Sequence, residues 1–559
     1  MKSFTDNITI FCKNNNLQTE VNIGSSMLDI YKAFGSPLKH PPLCAHVNNR
    51  VQPLIYRCWQ SKDVDFLDYT ALPGFRTYVR SLCFVLSKAV HDLFPYRVFN
   101  LEHPVSKGYY CAFVGQEHIP ETEILQIKNR MKTIIDANIR FVLHSVRMVE
   151  AVKLFRERGM DDKALLLETS GLAYASYQEM DGYIDYFYGP LTPSAGYVKL
   201  FDIEPYSEGL LLRVPQTENP SELYPVVPQD KMFNEYKRFF DIQRTVGLNH
   251  VGDLNLAIQQ GSVSELVMVS EAIQEKRIAT IAEKIAARYR ENGVRVILIS
   301  GPSSSGKTTF CKRLQIQLIT NLLHPLGISL DDYYVNRDVT PLDEHGKYDF
   351  ESLYAIDLAY FKKDLQRLIA GEEVELPSYN FSKGIREYKG KKLKMKHNSI
   401  LLLEGIHGLN PELTDNIPPE RIFRIYVSAL TTISLDGHNW IPTTDNRLLR
   451  RIVRDYQFRG YSAKQTISMW PSVRRGEEKW IFPYQENADE MFNSAMMYEF
   501  AALRFYAEPV LNEVYENEEE YSEAHRLLHF LTYFNHIYES ELPGASLLRE
   551  FLGGGKFSY

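Results

Sequence analysis

Gly301, Gly306, Lys307 and Thr308 stand in the spacing G-x-x-x-x-G-K-S/T inside "ILISGPSSSGKTTF". Glycines at these positions let successive backbone N–H groups converge on a polyphosphate. A helix N-terminus at the end of the loop adds a favourable partial charge. Lys307 reaches the β- and γ-phosphates of a bound nucleotide, and the Thr308 hydroxyl is a ligand for Mg²⁺. Gly301, Ser303, Ser304, Ser305, Gly306, Lys307, Thr308 and Thr309 therefore read as a cradle for a nucleoside triphosphate. The flanks agree. "VRVILIS" is a short β-branched apolar run of the kind that forms a buried parallel strand. After the loop, Phe310, Leu314, Leu318 and Leu322 recur at helical spacing.

Three further groups supply phosphotransfer chemistry. "GISLDDYYVNR" is an apolar-led segment running into Asp331, Asp332, Tyr333 and Tyr334. A carboxylate at the carboxyl end of a strand in an open α/β sheet faces the ligand crevice, where it can accept the proton of an attacking alcohol. "SILLLEGIHGL" is a second apolar strand ending in Glu404. An acid at the exit of a buried strand is costly without a cation to serve, and a nucleotide-bound Mg²⁺ is such a cation. In "TTDNRLLRRIVRDYQFRG", Arg447, Arg450, Arg451 and Arg454 fall at i, i+3, i+4 and i+7, with Thr444 or Asp445 as a cap and Gly460 as a stop. Four guanidiniums on one helical face repel unless anions lie between them, and a triphosphate supplies anions. Arginines that close on a transferring phosphoryl group contribute about 10³–10⁵ in rate, roughly 4–7 kcal/mol. A surface helix pair contributes ~0.5 kcal/mol, so this face is expected to be a lid.

The elements that position these residues belong to a long chain. At 559 residues it exceeds one ordinary core, and three or four domains are expected. Lys+Arg number 63 and Asp+Glu 70, a net charge of −7, which argues against a globally basic nucleic-acid binder. No run of 18 apolar residues occurs, and "MKSFTDNITIFCKNNN" lacks the apolar centre of a signal peptide. The six cysteines are scattered without a C-x-x-C pair. A cytoplasmic enzyme with no membrane partner is the expectation.

Residues 1–71 read as a small β-rich unit, in which "NITIFC" and "QTEVNI" flank a turn, "SMLDIYKAF" is a helix and "LCAHVNNRVQPL" is a strand pair turned at Asn48-Asn49. That pattern suits a β-grasp fold. Residues 72–215 read as an α+β region with two amphipathic helices. Val214–Asp230 is proline-rich and polar, a linker, and 216–293 as a whole is expected to be a linker with a helical connection closed by Gly293. The segment from 294 to 559 is expected to hold a parallel sheet flanked by helices, with a C-terminal helical extension. The fold class is thus multidomain, mixing α/β and α+β units.

The order of motifs from about Val294 to Ala495 resembles the uridine kinase/phosphoribulokinase family of P-loop kinases. "GPSSSGKTTF", "SLDDYY", "YDFESLYAIDL", "LPSYNF", "LLLEGIHGL", "RLLRRIVRDYQFRG" and "FPYQENADEMFNSA" carry the resemblance. It implies an ATP- or GTP-dependent, Mg²⁺-requiring kinase acting on a ribose or sugar-like hydroxyl, with uridine the first acceptor to consider. It makes Asp331 the base, with Lys307, Arg450 and Arg454 beside it in catalysis. It places Tyr334, Asp349, Tyr379, Arg386 and Arg447 at the acceptor, and Thr308 and Glu404 at the metal. Two departures stand out. "YNFSKGIRE" has Gly384 where uridine kinases often carry a base-contacting histidine, and "TTISLDGHNWIPTTDN" is longer than in the simplest nucleoside kinases. The N-terminal half resembles threonyl-tRNA synthetase: a TGS domain over 1–71 and an editing-type domain over 72–215. There the family's metal positions fall on Arg80, Phe84, Phe187 and Leu191, which implies loss of that site. Two other readings stay open: a kinase of another small alcohol or sugar phosphate, and a nucleotide-switched protein that binds RNA through its N-terminal half.

Overall fold

The computed structural model describes residues 6–344, 346–381 and 383–558. At the N-terminus, five strands form a mixed sheet in the order Leu17–Asn22, Asn7–Cys12, Lys62–Leu67, Cys44–Val47, Arg50–Pro53. The central pair, Asn7–Cys12 with Lys62–Leu67, is parallel. Asn48 and Asn49 both take positive φ, 48° and 58°, as a two-residue hairpin turn between right-twisting strands requires. Helix Met27–Ala33 crosses the sheet, started by a Ser26–Asp29 capping box. Ile10, Met27, Ile30, Val64 and Phe66 form its core.

Two antiparallel sheets and two long helices follow. Phe99–Val105, Gly108–Phe113, Gly209–Arg213 and Asp202–Tyr206 make one sheet, and Val142–Arg147, Tyr174–Met180 and Tyr183–Asp185 the other. Helix Leu72–Leu93 is buried along most of its length, and with helix Glu121–Asp136 it encloses a core of Leu82, Phe84, Ile127, Met131 and Leu212.

The helical stretch expected as a connection is instead built into the C-terminal body. Helix Val263–Asn292 buries Ile278, Ile281 and Ile285 in one cluster with Ile297, Ile299 and Phe310. Its Glu271 and Glu275 hold Arg313 at 3.3 and 2.7 Å. Gly293 at φ +68° ends it, and strand Val296–Ser300 starts at once.

That strand is the middle of five parallel strands ordered His324–Ser329, Ser399–Glu404, Val296–Ser300, Ile422–Ser428, Glu490–Asn493. The alternation of strand side chains divides its residues between two cores. Ile297 and Ile299 face the cluster shared with helices Val263–Asn292, Lys307–Thr320 and Thr443–Arg459. Val296 and Leu298 face the cluster closed by helix Leu358–Ile369 and the hairpin Glu373–Asn380/Ile385–Lys394. Both faces are covered, which is why these strands read as unbroken apolar runs. All strands point the same way, so the loops after Ser300, Ser329, Glu404 and Ser428 share one edge. None of the helices among the described residues is long and apolar enough to cross a membrane.

Candidate active site

The loop after Ser300 is shaped by close approaches. A Cβ on Gly301 would lie 2.0 Å from the Val427 carbonyl oxygen, so only glycine fits. Gly306 takes φ +81° and opens helix Lys307–Thr320. Lys307 is mostly buried and donates to the Pro302 carbonyl at 3.1 Å. The Ser303 N–H donates to Glu477 at 3.1 Å and the Ser303 hydroxyl accepts from Arg451 at 2.8 Å. The Ser304 and Ser305 hydroxyls are buried with no hydrogen-bond partner among the described residues. Thr308 is half-buried on the first turn of the helix, and Thr309 is buried.

Strand register sets the acids. Glu404 pairs with Ile299 on one side and Ser329 on the other, between the loop and the turn that carries Asp331. Burial raises the Asp331 carboxyl above its ordinary range, while Lys307 acts in the opposite direction and Asp332 reinforces the rise. Burial likewise pushes Glu404 up to about 7, against the pull of Lys307 and with the push of Asp331 and Glu550. Glu351 is also raised to about 7 by burial, offset in part by Arg451 and reinforced by Glu477 and Asp331. One of its oxygens is buried without a partner among the described residues. Three carboxyls thus crowd one lysine.

The arginine helix, Thr443–Arg459, does not present one face to a ligand. Arg447 and Arg450 turn inward, 1% and 0% exposed. Arg447 is forked onto Glu477 and Arg450 onto Glu499 at 2.8 Å; Ser494 accepts two more bonds from Arg450, and Arg447 and Arg450 also donate to the loop carbonyls of Ser303 and Ser304 at 3.1 and 3.4 Å. These two expected ligand-facing arginines are therefore internal struts. A charge at the face of the helix survives differently. Asp455 is fully buried and is shared by Arg451, Arg454 and Arg459 at 3.3, 2.7 and 3.6 Å. One carboxylate cannot neutralise three guanidiniums, and Arg459 is near enough to Asp331 to favour its ionised form. The expected cap is also different. Pro442 precedes the helix with no side-chain cap bond, and Asp445 is taken by Arg526 in a two-bond fork at 2.7 and 2.9 Å.

Of the expected acceptor residues, Tyr334 and Tyr379 pack edge-to-face at 5.6 Å beside Phe381. Tyr334 donates to the Phe350 carbonyl at 3.3 Å, whereas the Tyr379 hydroxyl is buried with no partner among the described residues. Asp349 accepts from the Glu351 N–H at 3.2 Å and so shapes the turn that carries Glu351. Arg386 is not open to a ligand. It donates to the carbonyls of Tyr333 and Tyr334 at 3.2 and 3.1 Å and to Asp357 at 3.2 Å. It locks the turn behind Asp331 to the hairpin. Gly384, with φ +69°, is covered by Arg337, whose side chain lies 2.8 Å from where a Cβ would stand.

Glu351, Asp455, Arg459 and Glu550 are site residues that motif spacing did not single out. Glu351, within "YDFESLYAIDL", and Glu550, within the apolar "SLLREFL", have no periodic acidic or basic partner, so only tertiary proximity brings them in. For a divalent cation, the donors this edge offers are oxygens, the Thr308 hydroxyl and the Glu404 carboxyl among them, with the Asp331 carboxyl near Glu404. Mg²⁺ takes one or two protein oxygens and completes its shell with water and phosphate. The raised Glu404 is an acid lacking a sufficient cation, which fits that ion. Among the described residues no three His, Cys, Asp or Glu converge as an all-protein metal cage.

Residues 296–498 match the family model described as "Phosphoribulokinase / Uridine kinase family". The uridine kinase of Ligilactobacillus salivarius is 29% identical over 202 residues, 36% of this chain and 85% of that protein. That of Halobacterium salinarum is 25% identical over 193 residues, 34% of this chain and 76% of that protein. A threonine–tRNA ligase of Syntrophotalea carbinolica is 27% identical over 177 residues, 31% of this chain but 28% of the ligase. The cradle, the strand-end acids and the parallel sheet meet inside the matched window. Residues 296–498 are a C-terminal phosphotransferase domain of the phosphoribulokinase/uridine kinase family.

Proposed function

We propose that the chain phosphorylates the 5′-hydroxyl of a nucleoside, uridine first, using ATP or GTP. The supporting observation is the setting of Asp331: just past the end of strand His324–Ser329, with strand Ser399–Glu404 between it and the P-loop strand, raised by burial, within the fields of Lys307 and Arg459. A carboxyl with a raised pKa is a stronger base once ionised, suited to taking an alcohol proton. The residues divide the work. The loop amides and Lys307 hold and offset the β- and γ-phosphates. Arg451, Arg454 and Arg459 offset charge at the transferring group. Asp331 orients the hydroxyl and accepts its proton, and Tyr379 offers an unpartnered hydroxyl to the acceptor. Bound Mg²⁺, held by Thr308 and Glu404, would neutralise phosphate charge. Little covalent help is required, because positioning and electrostatics carry such transfers.

One observation favours a second acceptor class. Arg337 covers Gly384, where a base-contacting histidine was expected, so a cation stands where nucleobase recognition would be. A sugar phosphate would use it. ADP release measured with ATP against a panel of nucleosides and sugar phosphates separates the two. In either case Asp331→Asn should lower kcat by about 10²–10⁴ and leave nucleotide affinity nearly unchanged. Wild-type turnover in that variant would sink the reading.

The order of domains we infer is a TGS-like β-grasp unit over 1–71, an editing-like unit over 72–215, the linker and helices of 216–293, and the kinase over 294–559. The mixed sheet with its parallel central pair supports the first. In the second, Phe84 and Phe187 pack at 5.6 Å and Arg80 donates to the Pro190 carbonyl at 3.2 Å. An apolar fill of this kind suits a scaffold or RNA-binding role better than hydrolysis.

A further inference from the structure

The C-terminal segment is seated on the nucleotide cradle. Glu550 accepts from Thr309 twice with one oxygen, from the backbone N–H at 3.0 Å and from the hydroxyl at 2.7 Å. Thr309 is the third residue of the helix that follows the loop. Its N–H is one of the donors that a helix start leaves unpaired and that a bound phosphate takes. The contact is long-range, 241 residues in sequence, and it is held in place from several sides. Leu547 lies 2.5 Å from where a Cβ on Gly306 would stand, so the segment touches the loop at the residue that opens the helix. Phe551 lies under the Arg450 guanidinium at 5.0 Å. Leu547, Leu548 and Phe551 are fully buried. Arg549 fastens the turn by donating to the Leu542 carbonyl at 2.7 Å and pairing with Glu539.

Two carboxylates therefore touch the cradle amides, and they differ. Glu477, at Ser303, is balanced by Arg447 and Arg474. Glu550 enters no ion pair among the described residues, and it stands near enough to Glu404 to oppose that group's ionisation. It is a negative charge placed where a phosphate oxygen would be, beside an acid already short of cations.

We propose that the C-terminal segment is a built-in competitor of the nucleotide: Glu550 holds the Thr309 donors in the phosphate's place and must withdraw before a nucleoside triphosphate can seat fully. The segment satisfies the Thr309 donors of the cradle, and anything that draws Arg549–Leu552 away raises nucleotide affinity. This rests on the nucleotide reading of the cradle.

The test uses the full-length protein with MgATP and with inorganic tripolyphosphate, titrated calorimetrically into wild type, Glu550→Gln and Lys307→Ala. Glutamine keeps the size and an acceptor oxygen and removes the charge. Glu550→Gln should bind both probes about three- to fivefold tighter, the scale of one charge at a helix terminus, with a smaller gap at high salt. Hydrogen exchange of 546–552 in wild type should speed up when tripolyphosphate is added. Equal or weaker binding by Glu550→Gln, with Lys307→Ala still reducing affinity, overturns the competitor and spares the cradle. A lower melting temperature of Glu550→Gln with unchanged affinity shows a plain helix cap and also overturns it. No binding of either probe by wild type removes the nucleotide reading and this inference together.

Discussion

Arg450 and Arg454 stand four residues apart on one helix and differ in everything else. Arg450 is fully buried with one edge of its guanidinium forked onto Glu499, whereas Arg454 is part-exposed and shares Asp455 with two other arginines. Removing one partner of a buried pair strands the other's charge and costs about 3–5 kcal/mol. Arg450→Ala should therefore lose stability on that scale in urea unfolding and take activity down with the fold. Arg454→Ala leaves Asp455 with Arg451 and Arg459 and should cost less stability than Arg450→Ala, yet lose on the order of 10³ in kcat. The acids make a pH prediction of a different sign. A carboxyl raised in the native state keeps its proton after the unfolded chain, near pH 4.3 for glutamate, has lost it. The native state then binds more protons, so its stability falls as pH rises from about 4.3 toward 7, where Glu351 and Glu404 titrate. The decline in melting temperature across that range should be steeper in wild type than in Glu404→Gln, which keeps only Glu351. For activity the sense is reversed. Asp331 must be ionised, so kcat/KM should drop as pH falls through a value above that of an ordinary aspartate.

At the scale of elements, the parts that could be read in the sequence are those whose signal is local. The loop spacing, the apolar runs of strands Val296–Ser300 and Ser399–Glu404, and the Asn48-Asn49 turn each carry their own reason within a few residues. The roles of the arginines could not be read that way. Periodicity shows that Arg447, Arg450, Arg451 and Arg454 lie near one another on a helix, but Glu477 and Glu499, which claim two of them, come 30 and 49 residues later. Whether a charged face meets a ligand or a neighbour depends on tertiary packing. Arg386 teaches the same lesson. The family resemblance placed it at the acceptor, and its bonds to the Tyr333 and Tyr334 carbonyls make it the clasp between hairpin Glu373–Asn380/Ile385–Lys394 and the Asp331 turn. A base displaced by about 1 Å can cost 10²-fold. Arg386→Met should lower kcat by about 10- to 100-fold while the nucleotide dissociation constant stays put. A weakened acceptor KM with normal kcat would instead mark Arg386 as a ligand contact.

Across the whole molecule, the long segment before the arginine helix joins the halves. Its Asp436 is fully buried and binds Lys163 at 2.7 Å, while Lys163 also meets Asp185 at 3.0 Å and Asp185 meets His438 at 2.6 Å. The Leu101 N–H donates to the Gly437 carbonyl at 2.8 Å and Trp440 packs on Tyr109 at 4.5 Å. A second link runs from Arg76 through Glu523 and Arg526 to Asp445 at the start of the arginine helix. The extra length noted in "TTISLDGHNWIPTTDN" is thus accounted for by docking onto the N-terminal half, which no local pattern could have announced. Burial alone would raise the Asp185 carboxyl, but His438 and Lys163 more than offset it and hold it well below the ordinary range. A depressed carboxyl contributes stability that is fully present above its unfolded value, near pH 3.9, and is lost as pH falls through the native value. Lys163→Met leaves Asp185 and Asp436 without their shared cation, at a cost of about 3–5 kcal/mol at neutral pH. That cost falls on a joint that is also apolar, because Phe155, Leu166, Leu167, Ile184 and Tyr186 of the N-terminal half lie in one buried cluster with Ile297, Ile299 and Phe310. Calorimetry should therefore show one cooperative transition in both proteins, lower in Lys163→Met at neutral pH, with the gap narrowing as pH falls below about 3.9 toward the depressed native value of Asp185. A Lys163→Met melting temperature equal to that of wild type at neutral pH would mean that the apolar cluster alone holds the halves together and the ion cluster does not.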